Sequence, residues 1–201
     1  PMERVTGEVS APGGVTGSGS VFAIDHNGDN ALATLRYRLK SADFQAAEEP
    51  FSAAGKSFAR GSFIIRNVSQ GDLDRATKEL GLTAYAVAAP SVKTHPLRAA
   101  RVAIMHTWLS TQTEGWWRYA LDALAIPFDY ISTQDAANIA DLNAKYDVIL
   151  FPPTSGNPQA IVDGLPMWRN PMPWKTTALT PNIGKWAQTD DIRPGLGYAG
   201  L

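Results

Sequence analysis

The chain has 201 residues, 44% of them hydrophobic, and its 18 basic and 19 acidic side chains leave a formal charge of −1. That supplies apolar material for one large domain or two small ones, and the interspersed charges form no basic run able to neutralise phosphates or anionic lipid. Zero cysteines exclude disulfides, thiolate zinc sites and a cysteine nucleophile, and no stretch approaches the ~20 apolar residues of a spanning helix, so neither nucleic acid nor a membrane is an expected partner.

Residues 1–20 are rich in Gly, Ser, Thr and Pro and read as a linker, and the Pro1 start reads as a processed or excised fragment. VFAID (21–25) is a short apolar strand. It leads into a helix with Leu32, Leu35 and Leu39 at helical spacing, for which Asn27 or Asp29 offers a cap. Phe44 to Ala47 forms a further strand, and Phe51, Phe58 and FIIR (63–66) flank AAGK and ARG turns, which predicts β-hairpin geometry. Gly71 and Asp72 open a helix with Leu73, Ala76 and Leu80 on one face, and Gly81 suits its end. After the strand TAYAVAAP, the polar stretch Lys93 to Arg98 reads as a connector, so residues 21–97 form a small α/β region and residues 98–201 a second domain.

RVAIMH (101–106) is a nearly continuous apolar strand of the kind buried on both faces of a parallel sheet. Its helix starts near Thr113, with Glu114 at the positive end of the dipole and Trp117, Ala120, Leu121 and Leu124 as the inward stripe. FDYIS (128–132) is the next strand, Ser132 or Thr133 caps a helix with Ile139 and Leu142 inward, and DVILFPP (147–153) is the third strand. This alternation predicts a doubly wound sheet of flavodoxin-like type. Beyond Pro153 a stretch dense in Pro, Trp and Gly keeps no period and reads as a long excursion loop, and RPGLGYAGL opens a helix that ends at Leu201, so the fold is expected to be truncated at its C-terminus.

With RVAIMHTW, Glu114-Gly115-Trp116, LNAKYDVILFP and GLGYAG placed, the second half resembles the C-terminal class I glutamine amidotransferase-like region that follows the catalytic domain in some bacterial carboxypeptidase A-like zinc peptidases. AIDHNGDNALATLRYRLK and FSAAGKSFARGSFII resemble the segment that joins the two, and together the resemblance spans residues 20–201. It implies a flavodoxin-like parallel sheet preceded by a smaller α/β segment with a β-hairpin, and an exported parent hydrolase, extracellular or periplasmic. Zinc then belongs to that parent and not to this stretch, and the upstream peptidase domain and a peptide-like substrate become the expected partners. The family's paired His-x-x-Glu is absent: three positions after His26, His95 and His106 stand Asp29, Arg98 and Leu109. The amidotransferase nucleophile is a Cys, and there is none, so no catalytic residue and no metal ligand is expected here.

Two clusters are candidates for ligand binding. His106 and Trp108 lie past a strand's carboxyl end, where open α/β sheets place ligands, with Glu114 opening the helix opposite. The structural alternative makes His106 a capped strand end, Glu114 a dipole partner, and Trp116 or Trp117 core. Asp25, His26, Asp29 and Asn30 share the first strand-to-helix turn, where carboxylates with an imidazole could hold a polar ligand or could serve as turn and cap residues. Trp168, Trp174 and Trp186 either stack on a sugar or peptide or anchor the long loop. A Ser-His-Asp set from Ser110, His106 and Asp122 lacks the Gly-x-Ser-x-Gly elbow, and Gly195-Leu196-Gly197 reads as a turn, too short for a dinucleotide fingerprint. The expected function is therefore a non-catalytic accessory region of the zinc carboxypeptidase-like hydrolase, the alternative being a stand-alone small-molecule-binding module without a nucleophile.

Overall fold

The computed structural model describes residues 2–9, 12–109, 111–154 and 157–201. It divides into two compact units, Pro1–Ala99 and Ala100–Leu201.

The first unit contains β1 (Gly14–Thr16), β2 (Phe22–Ile24), α1 (Ala31–Arg38), β3 (Asp43–Ala47), β4 (Phe51–Ala53), β5 (Lys56–Phe58), β6 (Phe63–Arg66), α2 (Gln70–Leu80), β7 (Thr83–Ala86) and β8 (Thr94–Pro96). Six strands form a sheet in the order β1-β7-β2-β6-β3-β8, parallel between β1 and β7 and antiparallel elsewhere. The inner four interleave two split βαβ units, the ferredoxin-like connectivity. Strand alternation sorts the side chains: Phe22, Ile24, Phe44, Phe63 and Ile65 meet Leu32 and Leu35 of α1 and Leu73 and Ala76 of α2 in one core. Ala23 faces the other way, toward Phe58 of the β4–β5 hairpin, whose Ala54 and Gly55 both take positive φ as a two-residue mirror-image turn requires.

Two expectations need correction. The stretch 1–20 is not linker throughout, because Gly14–Thr16 pairs with β7 and the Val15 N–H donates to Asp74 Oδ1 at 2.9 Å. Backbone bonds hold this strand with little apolar burial, so composition does not reveal it. Likewise Thr94–Pro96, read as connector, pairs with β3. At the end of the strand order, Pro96 is tolerated although it has no N–H to donate.

The second unit contains β9 (Val102–His106), α3 (Gln112–Ala123), β10 (Phe128–Ser132), α4 (Thr133–Asn138), α5 (Leu142–Lys145), β11 (Val148–Leu150), α6 (Pro158–Asp163) and α7 (Gly197–Gly200). Its sheet is wholly parallel, in the order β10-β9-β11, so the chain leaves β9 toward one side and returns on the other. One face packs Ala103, Met105 and Ile131 against α4, α5 and Leu196. Ser132 caps α4 in a reciprocal box with Asp135, which positions the carboxyl end of β10. The opposite face carries α3, and here the expected inward stripe is not buried: Trp117 is 42% exposed, Ala120 is exposed, and Leu121 and Leu124 are half-buried. Helical spacing finds an apolar stripe, but it cannot say whether a surface stands opposite. Trp116 is exposed as well, so neither Trp116 nor Trp117 is core.

The long stretch after β11 holds α6 and then irregular chain built on pairings across its ends. Trp174 and Thr189 exchange backbone hydrogen bonds at 2.9 Å, and Gly164 pairs with Pro194. Buried Arg193 binds Asp191 and donates to the carbonyls of Met167 and Arg169 at 3.1 and 3.0 Å. Its guanidinium holds the Asp191 carboxyl well below the usual carboxylate range. Among the described residues, no helix is long and apolar enough to cross a membrane.

Candidate functional site

The C-terminal end of β9 delivers His106 onto the α3 face of the sheet, and register places Tyr130 of β10 opposite Ile104, one pleat away on that same face. The two rings stack, with centroids 4.2 Å apart and planes at 12°, and Trp108 meets the imidazole edge-on at 4.9 Å. The first turn of α3 supplies Glu114, whose Oε1 accepts from the Tyr130 hydroxyl at 2.6 Å. One turn later the Arg118 guanidinium lies 4.3 Å over the Tyr130 ring and 4.7 Å over that of Trp186. These groups line a cleft of about 320 Å³, and the long loop contributes Trp174, Asn182 and Lys185 to its walls.

His106 is only 2% exposed and Glu114 only 4%. The His106 Nδ1 lies 3.2 Å from the Thr107 carbonyl oxygen, which can only accept, so Nδ1 carries the proton and Nε2 presents a lone pair. Burial holds the imidazole pKa below its ordinary value, which keeps the ring neutral. That Nε2 has no hydrogen-bond partner, and neither have Glu114 Oε2, Trp108 Nε1 and Arg118 Nε, all of them buried. Leaving such a group unpaired costs about 1–3 kcal/mol, so buried polar groups are ordinarily met by protein, water or a ligand. Burial, then the bond to Glu114, pushes the Tyr130 phenol above its usual range, so the hydroxyl stays a donor to the carboxylate.

Of the residues singled out from sequence, His106, Trp108 and Glu114 share this cleft with Trp174 and Trp186. Trp168 lies instead beside its neighbour Arg169, whose guanidinium sits 4.0 Å over the indole. The indoles are exposed; the loop is pinned by Arg193 and by Gln134, whose side-chain N–H groups reach the carbonyls of Asp191 and Pro194. Asp25, His26 and Asn30 belong to the first unit. There Asp25 accepts from the Ala59 N–H at 2.9 Å and the Ser62 hydroxyl at 3.1 Å, and that hydroxyl accepts from the His26 N–H. Asn30 stands at the start of α1 without a side-chain cap bond, while Asp29 Oδ1 accepts from the Ala31 N–H. These are turn and cap bonds, and they occupy Oδ1 of Asp25 and Oδ1 of Asp29.

Asp122 is exposed, and Ser110 lies outside the described residues. Among the described residues no three His, Cys, Asp or Glu side chains gather as a metal site. A pocket of about 20 Å³ past the carboxyl ends of the strands is lined by Thr107, Thr133, Thr154, Ile161, Pro194 and Gly195. Tyr130 and Arg118 are site residues that sequence reasoning missed. Their signals were present: Tyr130 alternates with Phe128 and Ser132 along one strand face, and Arg118 follows Glu114 at i+4.

Compared with known proteins, the chain matches no family model, no curated protein and no solved structure.

Proposed function

We propose that the chain is a non-catalytic accessory region of an exported zinc carboxypeptidase-like hydrolase. In this reading its second unit is a flavodoxin-like module that holds a ligand for the enzyme and performs no chemistry itself. The observation that carries the reading is the cleft: it is lined by His106, Trp108 and Glu114, each of which has a buried hydrogen-bonding atom without a partner. The strand order β10-β9-β11, with the chain reversing direction across β9, supports the flavodoxin-like part, since it equals the first three strands of a 2-1-3-4-5 sheet. The upstream peptidase domain of the same polypeptide and a peptide-like substrate are the partners proposed. The second reading, a stand-alone small-molecule-binding module, draws on the fact that residues of the second unit alone line the cleft.

A zinc-dependent peptidase assay on this chain beside the whole gene product, with bound metal quantified in both, tests the proposal. Hydrolysis and zinc confined to the whole product are expected. Stoichiometric zinc or turnover in the chain alone would overturn it, and a gene product with no His-x-x-Glu domain would favour the second reading.

A further inference from the structure

Residues that line the cleft carry four buried polar atoms without partners, and these are of two kinds. His106 Nε2 and Glu114 Oε2 accept, while Trp108 Nε1–H and Arg118 Nε–H donate. A simple cation would suit Glu114 but stand beside Arg118 and Lys185, a simple anion would meet the Glu114 carboxylate, and an apolar ligand would leave all four groups unpaired. A hydroxyl group donates once and accepts twice, so a ligand carrying several hydroxyls satisfies both kinds at no cost in net charge. Two of the four groups, the imidazole and the indole, are neutral, and their rings touch edge to face at 4.9 Å. A hydroxyl can donate to an Nε2 lone pair or accept from an indole N–H, so hydroxyls suit both. The two ends of a zwitterion match only the charged pair.

The walls point the same way. Trp174 and Trp186 are 46% and 68% exposed and bring large aromatic surface to the cleft. The C–H face of a pyranose ring is apolar while its rim is hydroxylated, which fits an indole wall beside a polar floor. A volume of about 320 Å³ lies at the lower end of small-molecule sites, about 300–1,000 Å³, and suits one or two sugar rings. From this we infer that the cleft formed by β9, β10, α3 and the long loop is a carbohydrate subsite, with Glu114, His106 and Trp108 holding ring hydroxyls and Trp174 covering the ring face. This rests on reading the cleft as a ligand site, and adds the class of ligand.

The test is titration of the whole chain, ¹⁵N-labelled on tryptophan, with D-glucose, D-mannose, D-galactose and N-acetyl-D-glucosamine, set beside free L-amino acids and a dipeptide, and read at the indole N–H resonances. Saturable shifts at Trp108 with at least one sugar are expected, weakened at least tenfold by Glu114→Gln, which keeps an oxygen for Tyr130, and at least tenfold by Trp174→Ala, which alters only an exposed side chain. Trp168→Ala, outside the cleft, leaves the affinity unchanged. Sugar-induced shifts that survive both cleft substitutions would overturn the inference. Binding of an amino acid or dipeptide without any sugar would overturn it while leaving the ligand-site reading intact, and silence toward every probe would overturn both.

Discussion

The two units treat their polar groups in opposite ways. In the first, charged and hydroxyl side chains serve the fold: Asp25 and Ser62 tie the end of β2 to the turn between β5 and β6, Ser69 caps α2 through the Asp72 N–H, and Asp74 fastens β1 and pairs with Lys78. A hollow there of about 470 Å³ is edged by charges already paired, Arg38 with Glu79 and Arg75 with Asp72. In the second, among the described residues, the buried side-chain atoms left without a hydrogen bond all fall between His106 and Arg118. The contrast locates the candidate site without reference to any motif.

That contrast can be broken or sharpened by perturbing each unit alone, because all six tryptophans lie in the second unit. Intrinsic fluorescence therefore follows the second unit, and far-UV circular dichroism follows both. The largest effect is expected from Leu35→Ala, which hollows the fully buried core between α1 and the sheet and costs about 2–5 kcal/mol. Its urea transition should move in circular dichroism while the fluorescence transition stays in place; a common shift would mean that the units unfold together. Next, Gly195→Ala sets a methyl 2.5 Å from the Gly164 nitrogen and the Val162 carbonyl, backbone that must part to admit it. A loss of about 1–3 kcal/mol in the fluorescence transition is expected, with no change in the first unit.

Ser69→Ala removes the cap of α2 and should lower the first unit's stability by about 1 kcal/mol, measured by the dichroism midpoint at unchanged fluorescence. The smallest effect is a pH dependence. Since burial depresses the His106 pKa, the unfolded chain binds more protons than the folded one below the ordinary imidazole value of about 6.5. Stability of the second unit should thus be full above that pH and fall as the pH drops toward the depressed folded value. Arg118 adds to the depression, while the Thr107 carbonyl and Asp135 oppose it. Fluorescence-monitored midpoints at pH 7.5 and 5 check this, and His106→Gln should flatten the difference.

Much of the architecture was legible because its causes are local. The short apolar runs VFAID and FIIR, the Leu73-Ala76-Leu80 spacing, the left-handed Gly81 and the apolar run RVAIMH each act within a few residues, and each element formed where those signals stood. Strands without an apolar signature, Gly14–Thr16 and Thr94–Pro96, escaped because backbone pairing alone defines them. The position of His106, Trp108 and Glu114 around a strand's carboxyl end was also readable, since the strand-to-helix turn brings them together over a few residues.

What the sequence by itself determined, then, is an α/β chain with a parallel second region, no cysteine chemistry and a strand-end cluster. Tertiary structure alone decided that the cluster is buried, that Tyr130 stacks on His106 and takes one oxygen of Glu114, and that Trp174 and Trp186 close over it from a loop without periodicity. The physical reason is range. A side chain's secondary structure answers to neighbours within a turn or a pleat, whereas its burial and its unmet hydrogen bonds depend on strand register and on a loop some sixty residues away, which Arg193 and Gln134 fasten in place.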